Sequence, residues 1–112
     1  MTKFAATFSN GQTITRNSDH AYAFAWALIR KADGFIQESG FSATREGAAK
    51  AAQGKLWNGV STRERKHPAI RSHWARLAKE RGHATVADLF AAIDAEAAAF
   101  NAARRIEIIP VN

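Results

Sequence analysis

Cysteine is absent from the 112 residues, which removes disulfides and thiolate nucleophiles from consideration. No apolar run approaches the ~20 residues that a membrane-spanning helix requires, and the N-terminus has neither the basic start nor the apolar core of a signal peptide. No membrane partner is expected, and the protein is expected to be soluble and cytoplasmic. Gly34, Gly40, Gly47, Gly54 and Gly59 are scattered instead of gathered in one loop, so nucleotide binding through a phosphate cradle lacks support. His67, His73 and His83 are spaced unlike the i, i+4 pair of a helical metal site, and no carboxylate cluster joins them. Neither a metal nor a cofactor is expected. Ser18, Asp19 and His20 are adjacent, which prevents their side chains from converging on one reacting centre, and they read as a turn. Repeats and low-complexity linkers are also missing, so the chain is expected to form a single domain over residues 1–112.

Acid is scarce where base is dense. The chain has 16 Lys and Arg against 10 Asp and Glu, for a formal net charge of +6. Between Arg45 and Arg81 there are ten basic residues and three acidic ones, whereas residues 82–103 hold three acids and no base. Such a concentration of positive charge favours polyanions or acidic protein surfaces, and its alternative role is simply to keep a face solvated.

Residues 21–53 organise the rest. Tyr22, Phe24, Trp26 and Leu28 fall at alternate positions with alanines between them, the period of a strand with one bulky face. A helix capped by Ser18 or Asp19 competes with this reading, because alanine is the best helix former. Asp33-Gly34 favours the strand, since the pair suits a tight type I′ hairpin in which both central residues have positive φ. The return strand ends near Phe41, and Ser42 or Thr44 is placed to cap a helix over 44–56 whose face is Ala48, Ala52 and Leu56.

Upstream, Asn10-Gly11 separates two strand-like runs and reads as a hairpin, with Phe4, Ala6 and Phe8 on its inner face. Downstream, Ser61–His67 reads as a basic loop, and Pro68 suits the first position of a helix over 68–81 closing at Gly82. Val86, Leu89, Phe90, Ile93, Ala97 and Phe100 trace one face of a third helix, capped by Thr85, with Arg104 and Arg105 near its negative end. Ile106–Val111 is available as a further strand, at an edge because Pro110 cannot donate to a ladder. The expected fold is α+β: an antiparallel β-meander in the N-terminal half, with the C-terminal strand available to join it, packed against three helices.

Arginines that neutralise phosphate beside an indole able to stack on an unpaired base make Arg63, Arg65, Lys66, Arg71, Arg76, Lys79 and Trp57 the candidate residues for nucleic acid or an acidic partner. Trp74 falls on the apolar stripe of its helix and is assigned to the core.

The run GFSATREGAAKAA at residues 40–52, preceded by a hairpin, resembles the end of the three-strands-plus-helix arm domain of phage-type integrases. Phe8-Ser9-Asn10-Gly11, Thr15-Arg16, Tyr22, Trp26 and Gly40-Phe41-Ser42 together look like small phage host-takeover proteins, among which anti-CRISPR proteins are found. This second resemblance implies a non-enzymatic protein acting in the host cytoplasm by binding a nucleoprotein complex such as a CRISPR effector. It departs from inhibitors that mimic DNA, because a net charge of +6 cannot imitate a phosphate backbone. The alternatives are a small metal-independent ribonuclease of the toxin kind and a structural protein of a phage particle.

Overall fold

The chain runs β1 (Thr2–Thr7), β2 (Thr13–Ser18), β3 (Phe24–Arg30), β4 (Ile36–Ser42), α1 (Arg45–Gln53), α2 (Thr62–Lys66), α3 (Arg71–Glu80), α4 (Val86–Ala102) and β5 (Arg104–Pro110). These elements come from a computed structural model that describes residues 1–66 and 70–112. The fold is α+β with every strand pair antiparallel. Two compact units form, one of Met1–Leu56 with Ala102–Asn112 and one of Trp57–Asn101.

In the first unit the strand reading of the alanine-interleaved run holds, and the helix alternative does not. β1 and β2 form a two-stranded sheet of their own, while β3 lies between β4 and β5 in a second sheet. The C-terminal run therefore takes the place beside β3 that a continuous four-strand meander would have given to β2. Both faces of β3 are buried. Trp26 packs with the fully buried Ala48 and Ala52 of α1 and with Phe24, Ile106 and Ile108. Ala25, Ala27 and Ile29 pack on Ala6 and Phe8 of the hairpin. The alanines are thus a packing face, small enough for a second layer of backbone to approach closely.

The turn at Asp33-Gly34 differs from expectation. Gly34 has φ of 71°, but no residue other than glycine has positive φ among the described residues, so a type I′ turn is excluded. A four-residue loop forms instead, closed by the Arg30 amide donating to the Phe35 carbonyl at 2.9 Å. Asp33 explains the choice: its carboxylate pairs with Arg30 at 2.6 Å and accepts from the Phe35 amide at 3.1 Å. The Arg30 hydrogen bond, followed by that of the Phe35 amide, holds the Asp33 carboxyl below its ordinary value.

Thr44 caps α1 by accepting from the Gly47 amide at 3.0 Å, which settles the choice between Ser42 and Thr44. β5 begins at Arg104, so Arg104 and Arg105 belong to a strand and not to the last turn of α4. Pro110 is the last residue of this edge strand, as its missing N–H requires. On β5, Glu107 accepts from the Ser9 amide at 2.8 Å, from the Ser9 hydroxyl and from Arg105 at 3.0 Å. Burial pushes the Glu107 carboxyl up, but the Ser9 and Arg105 donors outweigh it and leave the group below its ordinary value.

The second unit is helical. Val60, Ala78, Leu89 and Ile93 form its core, with Trp74, Leu77, Val86 and Phe90 packed around them. α4 carries the apolar face expected of it, and Thr85 accepts from the Asp88 amide at 3.1 Å at its start. α3 closes at Gly82 as expected, with the His83 amide reaching back to the Ala78 carbonyl at 2.8 Å. Where a basic loop was expected over Ser61–His67, residues 62–66 are helical. Ser61 starts this turn by accepting from the Glu64 amide at 3.1 Å. Pro68 as a first helical residue and His67 lie outside the described residues.

Candidate functional site

The basic residues singled out from sequence fall on α2 and α3 of the helical unit. Arg71 opens α3 and is exposed, while Ser72, Arg76 and Lys79 recur at i, i+4 and i+7 on its outer side, opposite Trp74, Leu77 and Ala78. Arg63 and Lys66 are exposed on α2. None of Arg63, Lys66, Arg71, Arg76 and Lys79 makes an ion pair among the described residues, whereas Arg30, Lys55, Arg65 and Arg105 each hold a carboxylate.

Arg65 stands apart from this set. Its Nε donates to the Val60 carbonyl at 3.0 Å and its Nη2 to Asp94 at 2.6 Å, and the guanidinium lies 4.8 Å from the centre of the Phe90 ring. The arginine fork satisfies a backbone carbonyl and a carboxylate at once, fastening α2 to α4. Its side chain is 31% exposed, and its Nε and Nη2 donors are engaged within the fold.

Trp57 is 38% exposed. Asn101 accepts from its amide at 2.9 Å and donates to its carbonyl at 2.8 Å, and the indole stands edge-on to Phe100 with centroids 6.3 Å apart. An exposed indole on a clamped backbone is a fixed platform, since little freedom remains to be lost when a ligand covers it.

Trp74 is partly buried in the core as expected, edge-on to Phe90 at 5.4 Å, with the exposed His73 ring 5.1 Å away. Its indole N–H is buried and has no acceptor among the described residues. Trp74 also forms the wall of a groove of about 390 Å³ bordered by Trp57, Glu64, His73, Arg81 and Glu96. Glu64 borders a neighbouring depression as well, together with Ser61, Arg63 and Ile70. Sequence reasoning found Trp57 but missed Glu64, His73, Arg81 and Glu96. The signal available was Glu64, the one acid in the run from Ser61 to Lys66.

Among the described residues no group of three or more His, Cys, Asp or Glu is placed to hold a metal ion. No helix among them is long and apolar enough to cross a membrane. Comparison with protein-family models, curated proteins and solved structures finds no match to this chain.

Proposed function

We propose that this is a non-enzymatic binding protein that engages nucleic acid or a nucleoprotein complex through the basic surface of α2 and α3. The observation that carries the reading is the state of five cations. Arg63, Lys66, Arg71, Arg76 and Lys79 are all exposed and without ion pairs among the described residues, on a unit in which Arg65 does pair with Asp94. Exposed cations of this kind neutralise phosphates and release counterions, so binding should weaken steeply with salt, by roughly 0.7 to 0.9 logarithmic units per phosphate contact for each tenfold rise in salt concentration. A CRISPR effector complex is the first nucleoprotein complex to test, on the resemblance to small phage host-takeover proteins.

The test is charge reversal of Arg63, Lys66 and Arg76 to glutamate, with Arg65 left intact because it fastens helices. Capture from a bacterial lysate, with and without nuclease, should recover nucleic acid or its complexes with the native protein and not with the variant. A folded variant that still binds its partner at physiological salt would overturn the proposal. Labelled RNA in the same assay should remain full length; a shortened product lost in Arg71→Ala would establish the ribonuclease instead.

A further inference from the structure

We propose that the groove of the helical unit captures one unpaired guanine base of a single-stranded nucleic acid. The inference rests on the binding reading above and adds the kind of strand and the base it selects. A volume of about 390 Å³ lies within the range of small-ligand sites and exceeds one purine, leaving room for part of its sugar. Two indoles border the groove, Trp57 exposed and clamped by Asn101, Trp74 set in the core. Flat apolar walls of this kind favour a planar heterocycle, and base stacking on an exposed indole is tolerant of sequence.

Selectivity comes from the polar groups. Glu64 and Glu96 are acceptors only when ionised, so the ligand must supply donors. Guanine presents N1–H and N2–H side by side, a pair that one carboxylate accepts together, whereas uracil and thymine present one ring N–H between two carbonyls. Arg81 and His73 on the same groove are donors for the guanine carbonyl. Indoles with carboxylates would also suit an organic cation, but Arg81 in the wall and Arg63 in the adjoining depression repel one. Arg63 is placed there for a phosphate next to the captured base. Guanine in a duplex has its N1–H and N2–H edge occupied by cytosine, so the groove reads unpaired strands only.

The experiment uses the full chain and tryptophan fluorescence, with guanosine monophosphate, uridine monophosphate and tetramethylammonium as probes, followed by a guanine-containing single strand, the same strand in duplex and a uridine strand. Guanosine monophosphate should quench the emission and bind roughly tenfold tighter than uridine monophosphate, as one base contact predicts. Glu64→Gln, an exposed and near-isosteric change, should bring the two nucleotides to equal affinity, and a guanosine preference that survives it would overturn the proposal. Trp57→Phe should lose most of the quenching. Equal binding of the two nucleotides, equal binding of strand and duplex, or saturable binding of tetramethylammonium would each overturn the proposal. The two readings fail separately. Reversal of Lys66 and Arg76 alone, which line neither the groove nor the adjoining depression, removes the basic-surface reading alone if it spares strand binding with the guanosine preference intact; salt-sensitive strand binding without any preference removes the guanine site alone.

Discussion

The indole of Trp26 lies across Gly40, its register partner on β4, so closely that a methyl group there would meet Nε1 at 2.8 Å and Cε2 and Cζ2 at 2.9 Å. Trp26 is itself packed with Ala48 and Ala52 of α1, so the ring cannot lift without disturbing a fully buried helix face. Gly40→Ala should therefore destabilise the protein by roughly 1–3 kcal/mol, the cost of overpacking. Urea denaturation of Gly40→Ala beside Gly40→Ala/Trp26→Phe measures it. The smaller ring should recover part of the loss, and a single variant with native stability would show that the indole moves freely.

Arg65 and its neighbours on α2 should separate by what they do. Arg65→Ala removes donors to Val60 and Asp94 and the contact with Phe90, and should lower stability by about 1–2 kcal/mol, partial exposure keeping the figure modest. Arg63→Ala and Lys66→Ala, exposed and without ion pairs among the described residues, should stay within ~0.5 kcal/mol of the native protein. Thermal melts of the three variants decide this, and equal melting temperatures would mean that Arg65 fastens nothing.

Glu107 should leave a signature in acid. Its carboxyl titrates below the ordinary value of 4.5 in the folded protein, so the unfolded chain takes up its proton first. The stabilisation is complete above that unfolded value and is lost as the pH falls through the depressed folded one. Glu107→Gln should melt below the native protein at neutral pH, and the gap should narrow as the pH falls below about 4.5. Melting curves from neutral to acid pH test this; a gap of constant size would place the effect in packing and not in ionisation.

What was legible in the sequence was what is decided locally. Alternation set β3, four turns of apolar residues set α4, and Thr44 and Thr85 announced their helices because a cap needs only its own next three residues. The turn at Asp33 was misread because a rule for the Asp-Gly pair alone leaves out Arg30, three residues earlier, whose guanidinium pairs with the Asp33 carboxylate. Charge counted along the chain joined Arg45 and Lys50 to Arg76 and Lys79, whereas the fold assigns the first pair to one unit and the second to another. Arg65 carried the same signal as Arg63, and only the approach of Asp94 from α4 distinguishes them. The groove escaped for a similar reason, since Trp57, Glu64, His73 and Glu96 come from separate elements.

β5 completes its sheet from the far end of the chain, with Pro110 opposite Phe24 and Arg104 opposite Arg30. On a ribosome, everything from Trp57 to Asn101 emerges before that strand does. The helical unit is thus free to fold early, while β3 waits with one edge unpaired and exposed to neighbouring chains. Production losses should accordingly track the interval before β5 emerges, and a chaperone that shields the open edge of β3 over that interval should reduce them.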